Sequence, residues 1–267
     1  IPFEMTVRGF REITVNNGDV AKLRGSQGDD TFTSRPGNAV METPKGTVTV
    51  NDFPEVHGYS SPGQDDVAVF YDTPGDDFFL ATPEYAKMFG EGYFARAKGF
   101  RYTHAYSTSG GIDEAKLKDS PDDDRFIATP EAARLRGSDY NNRAKFFRYV
   151  HAYASGGTDE ARFVDSPEAD AFVATAQYAK LQGSGFANRA KFFDTVHLRA
   201  GNGADSAVLR DAVLTTPGDG QMEENKLLAA AWLYGLERCQ LRGDALDERP
   251  DAETVDQLLA YWIASDL

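Results

Sequence analysis

The sequence predicts an all-β chain, a right-handed parallel β-helix or solenoid with a small C-terminal α-helical cap. Three observations predict it: a repeat of about 47 residues, apolar residues that alternate within each repeat, and Gly, Pro, Asn and Asp between the alternating runs. Alternation is the period of a half-buried strand, and the residues between the runs are turn formers.

The repeat shows in several ladders. His57, His104, His151 and His197 stand 47, 47 and 46 residues apart, and Asp19, Asp66, Asp113, Asp159 and Asp205 keep the same register. Asp30, Asp77, Asp124 and Asp170 form another ladder, as do Phe32, Phe79, Phe126 and Phe172, and Pro36, Pro83 and Pro130. The one-residue length change falls where STSGGI becomes ASGGT, in a glycine-marked turn. Units starting near 19, 66, 113, 159 and 205 define a repeat domain over 1–218, with a tail over 219–267. The first copy is degenerate between Ser34 and Asn51.

Strands are predicted over Glu160 to Asp165 and Asp170 to Thr175, and also over Tyr85 to Met88, Ala97 to Phe100 and His104 to Tyr106. Ala68, Ala115, Ala161 and Ala207 precede Phe70, Leu117, Phe163 and Leu209 by two, an inward face that packs small against large. Lys116, Arg162 and Arg210 or neighbouring charges should then face water. A unit this long suits about two coils of a solenoid. Propeller blades run to roughly 40–45 residues, but no Gly-His…Trp-Asp signature occurs and both tryptophans lie in the tail. Equivalent positions of a solenoid stack, so the four histidines should lie in one line.

In the tail, Glu223 to Arg238 and Ala252 to Ala264 carry apolar residues at helical spacing, with Pro250 and Asp251 as a start signal for the second helix. Such a pair would cover the open end of the solenoid or dock a partner, the latter if Trp232 or Trp262 is exposed.

A net charge of −14 and a pI near 4.7 argue against nucleic acid and against an anionic membrane. Other protein chains or cell-surface polysaccharide are the partners left. No run of 18 apolar residues occurs, so no membrane-inserting helix is expected. A single cysteine, Cys239, permits neither an internal disulfide nor a thiolate cluster. The degenerate first copy and the helical tail suggest the terminal piece of a longer chain.

The third and fourth units carry Gly-Gly-x-Asp-x-Ala-x-Φ-x-Asp-Ser-x-x-x-Asp-x-Phe, at Gly110 to Phe126 and Gly156 to Phe172. The motif's aspartates either cap turns by accepting backbone N–H groups or hold calcium between stacked turns through Asp113, Asp119, Asp124, Asp159, Asp165 and Asp170. Calcium is the one cofactor candidate. Arg96, Lys98, Arg143, Lys145, Arg189 and Lys191 form a basic ladder, which either pairs with carboxylates or binds an anionic glycan. The histidines, about 10 Å apart when stacked two strands apart, cannot share a metal ion and read as a His and Tyr row. No catalytic residue is assigned, since residues recurring in every unit serve what every unit shares, its fold.

The Gly-Gly-x-Asp motif resembles the calcium-binding repeats of RTX proteins, without their nine-residue spacing. The run Asp-Ser-x-x-x-Asp-x-Phe-x-Ala-Thr-Pro-x-Tyr-Ala-x-Leu-x-Gly-x-Gly, followed by Asn-Arg-Ala-Lys-Phe-Phe, covers about Asp19 to Asp211. It resembles repeats of very large extracellular and cell-surface proteins of planctomycete-like bacteria. That resemblance implies an extracellular, cell-surface or periplasmic β-helical module, structural or adhesive and without catalysis. The alternative is a β-helix that binds anionic polysaccharide or cleaves it as a lyase or hydrolase.

Overall fold

The computed structural model describes residues 11–61, 65–210, 230–234 and 238–242, and no helix occurs among them. After β1 (Glu12–Asn16), the first repeat holds β2 (Val20–Arg24), β3 (Thr31–Arg35), β4 (Asn38–Thr43), β5 (Gly46–Asn51) and β6 (Glu55–Tyr59). The second holds β7 (Val67–Tyr71), β8 (Phe78–Ala81), β9 (Tyr85–Gly90), β10 (Tyr93–Lys98) and β11 (Tyr102–Tyr106). The third holds β12 (Glu114–Lys118), β13 (Arg125–Ala128), β14 (Ala132–Arg136), β15 (Asn141–Lys145) and β16 (Tyr149–Tyr153). The fourth holds β17 (Glu160–Val164), β18 (Ala171–Ala174), β19 (Tyr178–Gly183), β20 (Phe186–Lys191) and β21 (Thr195–Arg199), and β22 (Ser206–Arg210), β23 (Ala230–Tyr234) and β24 (Arg238–Arg242) follow.

Two compact units divide the chain, one built from the residues up to Ser120 with Glu131–His151, the other from Pro121–Pro130 with Ala152 onward. In the first, sheet A runs β1-β5-β4-β3-β7-β11-β15-β14 and sheet B runs β2-β6-β10-β9-β8-β12-β16. In the second, sheet C runs β13-β17-β21-β23 and sheet D runs β20-β19-β18-β22-β24. Each unit is a β-solenoid in which strands of successive turns pair in parallel, as β7 with β11 and β17 with β21.

Within a repeat the three central strands form an antiparallel meander, β8-β9-β10 in the second repeat and β18-β19-β20 in the fourth. Parallel pairing alone would not produce it. Two-residue turns do: β9 reverses into β10 through Glu91 and Gly92, whose φ of 68° suits glycine in a tight hairpin. The degenerate first copy builds the same meander from β3, β4 and β5, so its altered sequence leaves the architecture unchanged.

A repeat therefore visits its two sheets three times, and so makes one and a half circuits where two coils were expected. The odd half-turn moves equivalent strands to the opposite sheet in the next repeat. His57 lies on β6 in sheet B, His104 on β11 in sheet A, and His151 on β16 in sheet B again. The single histidine line expected of a solenoid is thus replaced by alternation, for a topological reason rather than because the chain is a propeller.

The part of the expected first tail helix that is described is extended. Ala230–Tyr234 pairs in parallel with β21, and Arg238–Arg242 with β22. An open sheet edge offers a row of unpaired N–H and C=O groups, which templates a strand more strongly than helical spacing favours a helix. The remainder of 219–267, with the second helix at Ala252 to Ala264, and the side chains of Trp232, Cys239 and Trp262 lie outside the described residues.

The inner faces carry the alternating small and large residues. Ala68, Phe70, Ala115, Leu117, Ala161 and Phe163 are all fully buried. In the first unit Phe70 meets Phe32 at 6.2 Å and Phe79 at 5.8 Å between centroids. In the second, Phe163 meets Phe126 at 6.0 Å and Phe172 at 5.8 Å, both edge-on, the geometry aromatic quadrupoles favour. Because Phe163 is packed by rings on both sides, Phe163→Ala should cost about 3–5 kcal/mol by urea unfolding, the loss typical of a buried aromatic that leaves a cavity.

Candidate functional site

The aspartate motif builds one structure in every repeat. Asp30, Asp77, Asp124 and Asp170 stand just before the meander, and Asp66, Asp113, Asp159 and Asp205 stand one turn later, just before the next strand. In all four repeats the later carboxylate accepts the backbone N–H of the earlier aspartate through Oδ1, at 2.6, 2.7, 2.9 and 2.9 Å in chain order. The earlier carboxylate in turn holds the turn before it. Asp77 Oδ2 accepts the N–H and hydroxyl of Thr73, and Asp170 Oδ2 those of Ser166, all within 2.8 Å. Both ladders are buried, none of the eight aspartates exceeding 4 % exposure.

These links staple turn to turn. A charge-assisted bond of this kind contributes about 1.5–3 kcal/mol. Exposed aspartates of the same loops add to them: Asp76 accepts the N–H of Ile112 and Asp123 that of Thr158, each at 2.7 Å. Where the turns stack there is no space for side chains. A Cβ on Gly111 would lie 2.1 Å from the Gly75 carbonyl oxygen, which accounts for the Gly-Gly pair.

Of the six aspartates read as metal ligands, Asp113 belongs to the first unit, where Oδ2 accepts the Ser107 hydroxyl and burial, ahead of its neighbours, raises its pKa. Asp119 follows β12. Asp124 and Asp159 are joined to each other in the second unit. Asp165 and Asp170 come together there with Asp205, each offering a carboxylate oxygen, and these oxygens lie within 4.8 Å of one another. Burial, with the neighbouring Asp205 and Asp170 charges, pushes the Asp165 carboxyl up to about 6. Asp205 was not among the predicted ligands, although it extends the Asp113 and Asp159 ladder by one step.

The basic ladder does not form one strip. In the first unit Arg96 and Lys98 are on β10 in sheet B and Arg143 and Lys145 on β15 in sheet A, while Arg189 and Lys191 are on β20 of the second unit. The half-turn that scatters the histidines scatters these too. Their neighbours are rings: Arg96 lies over Tyr85 at 5.3 Å, Lys145 over Phe146 at 4.7 Å and Lys191 over Phe192 at 5.0 Å.

A different basic row appears instead on the outer face of sheet B. Strand register sets Lys22, His57, Arg96, Lys87, Leu80 and Lys116 side by side across six strands. Beside it run Phe94, Phe89 and Phe78, with Glu55 and Glu114 at the two ends. Phe89 meets Phe78 at 5.2 Å, and Lys116 lies over Phe78 at 4.8 Å. Sequence reasoning missed this row because its members come from different positions of the repeat.

Three histidines have carboxylate partners on neighbouring positions, His57 with Glu55 at 2.7 Å, His151 with Glu114 at 3.8 Å and His197 with Glu160 at 3.0 Å, and His57 stacks on Tyr59. His104, beside Arg143, has its pKa lowered, first by burial and then by that cation. Glu160 also binds Arg125 at 2.8 Å and Arg162 at 2.6 Å. Arg162 is therefore held under its neighbours, 3 % exposed, where water contact was expected. Burial would raise the Glu160 pKa, but the bonds from His197 and Arg162 outweigh it and hold the carboxyl at about 2.

In its comparison with known proteins the chain matches no family model, no curated protein and no solved structure. No helix among the described residues is long and apolar enough to cross a membrane.

Two outcomes follow for the staples and the ion cluster. Asp113→Ala should lower stability by about 1–3 kcal/mol, because it leaves the buried Asp77 N–H unsatisfied, whereas Asp113→Asn, which keeps an acceptor oxygen, should lose less in the same denaturant titration. The Glu160 pKa is depressed in the fold, so its contribution is complete above the ordinary value of 4.5 and is lost as pH falls toward about 2. The fall in Tm across that window should be shallower in Glu160→Gln than in the wild type.

Proposed function

We propose that this chain is an extracellular repeat module whose role is structural or adhesive rather than catalytic. One observation carries the reading: the buried aspartate staple recurs at the same atoms in all four repeats. Polar chemistry repeated in this way serves to lock successive turns. A catalytic constellation is singular, with groups that differ in role and environment. The acidic surface, at a net charge of −14, suits a well-hydrated module in an open compartment. Surface labelling of intact source cells with an antibody against the repeats should be as strong as labelling after permeabilisation; signal only after permeabilisation would count against the extracellular assignment.

The outer face of sheet B supports a second reading, binding of an anionic polysaccharide. Five cationic or titratable side chains share one row there beside three phenylalanine rings, so carboxylates or sulfates could meet the row while sugar faces lie on the rings. On an array of acidic polysaccharides, wild-type binding should weaken as salt rises, and Arg96→Glu with Lys87→Glu should abolish it. Release of unsaturated sugar ends would instead indicate a lyase.

A further inference from the structure

We propose that Asp165, Asp170 and Asp205 form a divalent-cation site of the calcium class between successive turns of the second unit. The proposal stands apart from the structural or adhesive reading and from the fate of the sheet B face.

The three residues arrive from different places. Asp165 directly follows β17, Asp170 directly precedes β18, and Asp205 directly precedes β22. Backbone donors orient all three. Gly201 N–H points at Asp165 at 2.8 Å, the Ser166 N–H and hydroxyl hold Asp170 Oδ2, and the Asp170 N–H holds Asp205 Oδ1. Each carboxylate is thus fixed before any ligand arrives, which lowers the ordering cost of binding.

Asp205 carries an uncompensated carboxylate oxygen. It is 2 % exposed, and its Oδ2 is buried without a hydrogen-bond partner. A buried carboxylate oxygen with no donor is costly and needs a proton or a cation. In the second repeat the equivalent oxygen, Asp113 Oδ2, accepts the Ser107 hydroxyl, and Asp72 Oδ2 is turned toward the N–H groups of Thr108 and Ser109. In the fourth repeat the serine is replaced by Ala200, which lines the gap beside Asp165, Asp170 and Asp205. The hydroxyl that closes the site in one repeat is absent in the other, and three carboxylates converge there.

The donors select the ion. All three are carboxylate oxygens, the choice of hard cations rather than of zinc or copper. Oxygens bound to one calcium at about 2.3–2.6 Å lie no more than about 5 Å apart, whereas magnesium bonds of about 2.0–2.1 Å require a tighter cluster. The three oxygens lie within 4.8 Å of one another, close enough to be bridged by one hard cation.

The test uses the full chain, stripped with chelator and titrated with calcium chloride, with magnesium chloride and sodium chloride at equal ionic strength as controls for simple charge screening. Bound calcium is counted by equilibrium dialysis, and Tm is followed in parallel. Calcium should raise Tm by several degrees more than either control. Asp205→Asn keeps the oxygen that accepts the Asp170 N–H, and so should remain folded while losing one bound equivalent and the Tm response. Ala200→Ser, which restores the hydroxyl, should weaken that equivalent roughly tenfold or more, in the range typical of disturbed metal shells. Equal calcium binding by wild type and Asp205→Asn would overturn the site. So would a wild-type Tm that ignores calcium and follows pH alone, since the cluster would then share a proton.

Discussion

The hydrogen bond from the backbone of one buried aspartate to the carboxylate of another, one turn later, is the contact on which the rest of the molecule depends. It removes an N–H that the start of each meander would otherwise leave unpaired, and it fixes the height of one turn against the next. The earlier aspartate simultaneously closes its own turn through a serine or threonine four residues back, as Ser166 does for Asp170. One residue type thereby satisfies backbone donors on two successive loops. That requires the loops to touch, and glycines such as Gly111 let them do so.

The staples decide where strands begin, and the meander decides where they go. Three antiparallel strands in one sheet, flanked by single strands in the other, give the first, second and fourth repeats an odd number of sheet visits. Every chemical ladder that one-dimensional stacking would align is consequently dealt out to alternating sheets. The outward basic residues lose their continuity for this reason, and a mixed row on sheet B acquires one that no single ladder contains. Ion pairs show the same effect: Glu160 collects Arg125 from the preceding turn and His197 from the following one, partners 35 and 37 residues away.

Much of the architecture could be read directly from the residues. The period, the alternating inward alanine and phenylalanine, the turn positions and the capping of backbone groups by aspartate are local or strictly periodic properties, and the buried Ala161 and Phe163 illustrate them. The meander could not be read so easily, because a parallel coil and an antiparallel hairpin share the period of two. The tail misled for a related reason. Apolar residues at helical spacing favour a helix in isolation, but Ala230–Tyr234 adjoins a strand edge whose unsatisfied backbone supplies partners that a free segment lacks.

The sequence by itself determined the class of fold, the repeat boundaries and the residue types that form the staples, since these follow from periodicity and from the hydrogen-bonding capacity of single side chains. Only the tertiary structure decided which repeats stand on which sheet and which aspartates converge. Asp165, Asp170 and Asp205 meet because two turns stack at that point and Ala200 carries no hydroxyl to fill the gap. Such convergence depends on distances between residues about 35 to 40 positions apart, and no local pattern encodes those distances.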